Sequence, residues 1–499
     1  MIPEHLGTTM YTTAFAAALA ALAPLAGPLP QEPPQDQSAT IAAVSAYLDA
    51  RFDDAGVPGA AYAILSADGD TNTAFWGEDG NSDPVDEDTP FLWGSVAKPV
   101  TATAAMVLVE EGRLDLDEPI VAYLPDFTLA DASHSDRITM RHLLQQTSGI
   151  PEGTGITDRF EHREDPYGEA VSDLADVEPF AEPGATFEYA SANYLVVGAV
   201  IEAVAGVPYD QFLRESVLDP IGMDSAVTTA DAAAAVPGGY APVFGQAVPV
   251  GTQFDQTGPS YGYLGGDIGD LSAFAATQLG PESTTTLAPE SLALMHAGAT
   301  NVNATIDYGL GWRVDSRNED LGTTTVWHTG AAPGFAAGVL LLPELDRALV
   351  VMQNRYGHFE EGPLIGAMLG ATRILAGGEG PEFGVDPLYS GLLTGLSLLI
   401  VAALVFLVWT FVRIAHGPKP SRRKAWVLTG SGCWVASALA IAYVSWVAVP
   451  GLAPSRTAFF LLAPDVAWLL VGLGVAALLL AAARVWHGAV RLRRPFAAR

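Results

Sequence analysis

A hydroxyl and an amine stand three residues apart in Phe91-Leu92-Trp93-Gly94-Ser95-Val96-Ala97-Lys98. If a helix begins at Ser95, the two side chains lie one turn apart on the same face. A serine hydroxyl is a weak nucleophile until a base removes its proton, and a neutral lysine amine at this spacing can act as that base. The helix N-terminus also favours negative charge developing on a substrate oxygen. Pro99 lacks an N–H and is best tolerated in a first turn, which agrees with a helix starting near Ser95. The spacing alone says little, because Ser421-Arg422-Arg423-Lys424 repeats it in a basic loop. What separates the first copy is that Lys98 is the only lysine in residues 1–388.

Two further segments carry groups of use to such a pair. Phe187-Glu188-Tyr189-Ala190-Ser191-Ala192-Asn193-Tyr194 offers Tyr189, whose phenol can serve as a proton-transfer group beside a lysine. His328-Thr329-Gly330-Ala331-Ala332-Pro333-Gly334-Phe335 ends an expected strand. Its small residues let a substrate approach the strand, and its backbone N–H groups can complete an oxyanion hole. Taken singly, a tyrosine among aromatics usually packs and a lone His-Thr-Gly carries little information.

The elements that must position these groups are partly readable. Ile41, Val44, Tyr47 and Leu48 recur at helical spacing, so Ala39–Asp54 is expected as a helix. Gly59–Ser66 and Thr73–Trp76 flank Asp68-Gly69-Asp70 as a hairpin. Val100–Glu111 and Ile138–Gln146 read as helices, the second ending in Thr147-Ser148-Gly149. Near the end of this part of the chain, Thr323–His328, Gly338–Leu342 and Ala348–Met352 read as strands and Pro363–Ala376 as a closing helix. Strands at both ends with helical material between predict one α+β domain whose sheet is assembled from both termini.

In combination, Ser95-x-x-Lys98, Tyr189 about ninety residues on and His328-Thr329-Gly330 resemble the penicillin-recognising serine hydrolases. That family holds class C β-lactamases, D-Ala-D-Ala carboxypeptidases, D-aminopeptidases and related esterases; Ser-x-x-Lys with Lys-Thr-Gly is a known motif pair of related enzymes. The segment Val107–Phe127 (VLVEEGRLDLDEPIVAYLPDF) and Ile138–Ile150 (ITMRHLLQQTSGI) add to the resemblance. Tyr308-Gly309-Leu310-Gly311-Trp312 looks like the strand before the His-Thr-Gly strand, so the resemblance covers roughly residues 40–376. It implies a β-lactamase/transpeptidase-like fold, an antiparallel sheet flanked by helices plus a helical subdomain. It also implies Ser95 as acylated nucleophile, Lys98 as its proton partner and Tyr189 as activator of the deacylating water or leaving group. Ser191, His328 and Thr329 would contact substrate, with Gly330 in the same strand and the N–H groups of Ser95 and Ala331 forming the oxyanion hole. Two departures matter. The family's Tyr-x-Asn is Tyr189-Ala190-Ser191 here, and the lysine of Lys-Thr-Gly is His328. A shorter hydroxyl and a weaker cation favour esterase or peptidase activity over efficient β-lactamase activity. A slowly acylating sensor and an inactive scaffold are the competing readings; the intact Ser95, Lys98 and Tyr189 argue against the scaffold.

Composition divides the chain. Residues 1–388 carry 55 acidic residues and 13 basic ones, a net of −42, whereas 389–499 carry 11 basic residues and the single acid Asp465, a net of +10. Three apolar runs, Tyr389–Val412, Ala425–Val449 and Phe459–Ala483, are each long enough at ~1.5 Å per residue to cross ~30 Å of hydrocarbon. Arg413, Lys419, Arg422, Arg423 and Lys424 lie between the first two, and residues 484–499 form a basic tail, against Arg456 alone in the other loop. The positive-inside bias therefore puts that first loop and the C-terminus in the cytoplasm, and the domain at 39–380 outside a cell membrane spanned three times. Thr12–Gly27 followed by a Pro-rich linker at 28–38 reads as a signal peptide over 1–27, with a non-cleaved anchor as the alternative because no basic residue precedes the apolar run. The acidic load excludes nucleic acid as a partner of the domain and matches proteins of salt-rich habitats. Cys433 is alone and the nine histidines show no paired-ligand spacing, so neither a disulfide nor a metal or other cofactor is expected. The expected partners are a small-molecule or peptide substrate and the lipid bilayer.

Overall fold

A computed structural model describes residues 37–66, 70–280, 286–382, 387–417, 424–452 and 456–493. The expected signal peptide, most of the linker, the turn at Asp68-Gly69, the second Ser-x-x-Lys at Ser421–Arg423 and the end of the basic tail lie outside the described residues.

Eight antiparallel strands form the main sheet in the order Thr71–Gly77, Gly59–Ser66, Arg347–Gln353, Phe335–Leu342, Thr325–Ala332, Arg313–Asp315, Ile306–Tyr308 and Thr300–Asn301. The first hairpin joins strands from nearly 300 residues later, with Ala61 opposite Met352 and Ala63 opposite Val350. The sheet is thus assembled from both ends of the domain, as the pattern of apolar runs predicts.

Side-chain alternation along Gly59–Ser66 explains why that strand is apolar throughout. Ala60, Tyr62 and Ile64 face a layer made by the helices Gln37–Ala55 and Glu361–Leu375, where Leu48, Phe52, Val351 and Met368 are buried. Ala61, Ala63 and Leu65 face the other way, into the larger core with Val100, Met106, Leu195 and Val200. Each fully buried Leu, Phe or Met contributes roughly 1.5–3 kcal/mol. Among the helices of this larger core are Ala97–Glu110, which begins just past Ser95, and Ser191–Ala205, which begins just past Tyr189.

Some boundaries differ from the sequence reading. Ser95 lies in a 3-10 turn, Gly94–Val96, and the α-helix proper starts at Ala97, which leaves Pro99 in its first turn. Of Tyr308–Trp312 only Tyr308 lies in a strand: residues 309–312 make the reversal between Ile306–Tyr308 and Arg313–Asp315, made possible by Gly311 at φ +84°. Beyond the domain, Leu388–Ala415, Lys424–Ala448 and Pro464–Arg493 are helices apolar and long enough to cross a membrane. The expected third span is divided, with Phe459–Leu462 in a short helix and a new one opening at Pro464. Proline suits a first helical position, and Asp465 beside it suits the positive end of the dipole. The helix then runs on through the expected tail to Arg493. Small residues let the second and third helices pack closely: a Cβ on Gly474 would lie 2.4 Å from the Trp446 indole, and one on Gly488 2.7 Å from Ser431 Oγ.

Candidate active site

The turn Gly94–Val96, which carries Ser95, is pressed against the strand Thr325–Ala332 backbone to backbone. Gly94 has φ +56°, and a Cβ there would sit 2.0 Å from the Ala331 nitrogen; a Cβ on Gly330 would sit 2.0 Å from Trp93 O and 2.4 Å from Ser95 N. Only two glycines facing each other permit this approach. It brings the backbone at Ser95 against the backbone at Ala331, whose amides are the expected oxyanion donors.

Lys98 is fully buried, and its three ammonium donors have three acceptors. Nζ donates to Ser95 Oγ at 2.8 Å, to the Tyr261 carbonyl at 2.7 Å and to Ser191 Oγ at 3.3 Å. Nζ also lies 4.9 Å from the centre of the Tyr189 ring and 5.8 Å from that of Tyr194, within cation–π range. The Ser191 hydroxyl therefore reaches the lysine despite being shorter than the asparagine expected at that position.

Tyr189 is aimed by the turn at 146–149. Gln146 adopts φ +59°, its carbonyl accepts from Glu188 N, and its side-chain Oε1 accepts from Ala190 N at 3.0 Å and Asn193 Nδ2 at 2.6 Å. Ser148 Oγ donates to Asn193 Oδ1, closing the network. The Tyr189 ring packs edge-on to Tyr308 and beside His328, with centroids 6.3 and 6.1 Å apart.

His328 differs from the expected substrate-contacting cation. It is buried, and both ring nitrogens are engaged, Nδ1 with the Thr329 carbonyl at 2.7 Å and Nε2 with Tyr308 Oη at 3.2 Å. A carbonyl can only accept, so Nδ1 carries the proton and Nε2 accepts from Tyr308. Burial, then the nearby Arg313 and Lys98, push the imidazole well below its ordinary pKa, so it is neutral. Thr329 has its methyl on the opposite face of the strand, against the Gly338 position, and meets His328 through its carbonyl.

Three further residues belong to the site although nothing in the sequence pattern singles them out. Arg313 lies just past the Tyr308–Trp312 reversal, its guanidinium 5.2, 5.7 and 5.4 Å from the rings of Tyr189, Tyr308 and Trp327. It has no ion-pair or hydrogen-bond partner among the described residues. Glu152 follows the 146–149 turn, and its Oε2 accepts from Ser191 N at 3.0 Å. Although the residue is exposed, crowding around the carboxyl raises its pKa against the pull of that amide and of Lys98. Asp255, fully buried, accepts from Arg159 N, Arg163 Nη2, Thr257 N, Thr257 Oγ1 and Tyr261 Oη, all within 3.0 Å. It anchors the loop whose Tyr261 carbonyl holds Lys98. The only advance signal for Arg313 is that basic residues are scarce in this half of the chain.

A family model described as beta-lactamase matches residues 43–368, about two thirds of the chain. The chain belongs to the beta-lactamase family. Within it, penicillin-binding protein 4 of Amycolatopsis lactamdurans is 30% identical over 315 residues, 60% of this chain and 81% of that protein. The chain spans about half the length of other curated relatives it matches. Among solved structures, SurE superposes with a TM-score of 0.59 at 25% identity, covering 70% of this chain and 79% of SurE. A D-stereospecific amidohydrolase from Streptomyces sp. gives 0.54 at 25% identity, covering 63% and 94%. The beta-lactamase/transpeptidase-like fold expected from the motifs is therefore the fold of this domain, and its C-terminal helices are candidate membrane spans.

Proposed function

We propose that the chain is a membrane-anchored serine hydrolase that forms an acyl-enzyme on Ser95 from a small ester, amide or D-amino-acid peptide. The observation that carries this reading is the 2.8 Å contact between Lys98 Nζ and Ser95 Oγ. In its neutral form the amine accepts the hydroxyl proton as Oγ attacks the acyl carbon. The N–H groups of Ser95 and Ala331 receive the developing oxyanion. Lys98 and Tyr189 pass the proton to the leaving alkoxide or amine. Water attacks the ester on Ser95 in a second step, with Tyr189 as the base. Arg313 extends the reading to the substrate: with His328 neutral, this guanidinium is the cation beside Tyr189 that suits a substrate carboxylate. Incubating the protein with short nitrophenyl esters, D- and L-aminoacyl nitroanilides and a chromogenic cephalosporin tests the class. Release of many products per chain supports it, and no turnover of any of them contradicts it.

The loop charges support a catalytic domain on the outer side of the membrane with the C-terminus in the cytoplasm. A reporter after Arg499 is then protected in intact cells, and one in the loop at 78–88 is accessible; the reverse pattern contradicts this orientation.

One contact favours a second reading, a slowly acylating sensor. Asp465, opening the last membrane helix, accepts from Phe244 N at 3.0 Å. Phe244 lies at the tip of the hairpin formed by Gly239–Val243 and Gln246–Val250, where a Cβ on Gly239 would meet Gly334 O at 2.2 Å. Gly334 closes the turn after the oxyanion strand, so membrane helix and site share a continuous line of contacts. A single burst of product with no later turnover is the result that favours the sensor.

A further inference from the structure

Away from Ser95, a cavity of about 460 Å³ lies where the domain meets its membrane helices. Leu48 and Phe52 line it from the helix Gln37–Ala55, Leu364, Ala367 and Met368 from Glu361–Leu375, and Tyr389 from the first turn of the first membrane helix. Tyr389 is held there from two sides. Its ring stacks on Phe359 with centroids 5.5 Å apart and planes 8° from parallel, and its hydroxyl donates to Asp465 Oδ2. Asp465 is 2% exposed and is the only acid in residues 389–499. The wall of the cavity is thus built where the first and last membrane helices leave the domain.

We propose that this cavity takes an acyl chain of a bilayer phospholipid. Its size falls in the ~300–1,000 Å³ range of small-molecule sites, and a mostly apolar lining suits hydrocarbon. On the membrane-anchored reading Tyr389 opens the first span, so the bilayer is the hydrocarbon next to this cavity. Leu48, Phe52 and Tyr389 line the same cavity, so an acyl chain entering beside Tyr389 would lie against the two helix residues. The proposal rests on the membrane-anchored reading, and the test separates the two.

The full chain is reconstituted in phosphatidylcholine vesicles carrying a trace of phosphatidylcholine with a photoactivatable diazirine at the end of one acyl chain. After illumination, labelled peptides are mapped by mass spectrometry. Labelling of the Leu48–Phe52 and Leu364–Met368 segments together with the membrane helices supports the proposal. Labelling of the membrane helices alone overturns it, including the case where residues 12–27 of the same chain fill the cavity. Labelling of neither overturns the membrane reading and the proposal with it. Ala367→Trp, which fills the cavity, lowers labelling of the two cavity segments about tenfold while leaving the membrane helices labelled. Unchanged cavity labelling in that variant, with the melting temperature of the parent, also overturns it.

Discussion

The beta-lactamase-family domain with its N-terminal flank and the apolar C-terminal segment are opposites in charge, and each buries one charged residue of a type it otherwise lacks. Residues 1–388 carry 55 acids, 12 arginines and a single lysine, and that lysine is buried against Ser95. The membrane segment carries 11 basic residues and a single acid, and that acid is buried where two of the helices meet the domain. Burying a charge costs several kcal/mol unless its hydrogen bonds are replaced. Lys98 has three acceptors, and Asp465 has the Phe244 amide, the Tyr389 hydroxyl and the Val466 amide as donors. A charged residue type that its segment otherwise lacks, held with that many partners, is tied to one position. Most of the majority charge lies at the surface, with Asp255 among the buried exceptions.

The comparison breaks most sharply at Lys98. Lys98→Ala and Lys98→Arg should each lower the acylation rate of Ser95 by ~10²–10⁴-fold, read as turnover of a nitrophenyl ester. The arginine keeps the positive charge but cannot accept a proton, so activity retained in Lys98→Arg would show that charge alone is required. Tyr189→Phe should cost ~10²-fold or more and, if the phenol serves deacylation, leave an acyl-enzyme visible by intact-protein mass spectrometry.

Arg313 tests whether a second scarce cation has a substrate role. Its loss in Arg313→Gln should raise KM about tenfold or more for substrates bearing a carboxylate, the scale of a lost charge-assisted hydrogen bond, with little change for neutral esters. An equal effect on both classes would assign it to packing against Tyr189 and Tyr308. The majority charge should matter least. Screening length falls from ~10 Å at 0.1 M to ~3 Å at 1 M salt, so repulsion among the exposed carboxylates weakens. The melting temperature of the full chain in neutral detergent should rise by a few degrees in molar KCl; a flat or falling value would remove the saline reading.

How much of this was legible depends on whether a residue's neighbours are local. Gly59–Ser66 is seen with the boundaries its apolar run suggests, and Ser95 with Lys98 share one turn, so sequence spacing carries the geometry. The helix Ser191–Ala205 was not foreseen because it is buried almost all round and shows no polar face to set a period. Pro242 and Pro249 disguise the hairpin that reaches Asp465, since proline argues against a central strand. Glu152, Asp255 and Arg313 are ordinary charged residues in sequence. Their meaning comes from partners 39 residues away for Glu152 and 92 for the Asp255–Arg163 pair, and from three separate rings for Arg313.

All of this turns on Ser95 being the nucleophile. The direct measurement is peptide mapping after exposing the full chain to a fluorophosphonate, compared between the parent, Ser95→Ala and Lys98→Ala. The structure predicts one phosphonate adduct per chain on Ser95, none in Ser95→Ala, and labelling slowed by at least ~10²-fold in Lys98→Ala. An adduct on another serine, or ester turnover undiminished in Ser95→Ala, would contradict the account whatever the natural substrate is.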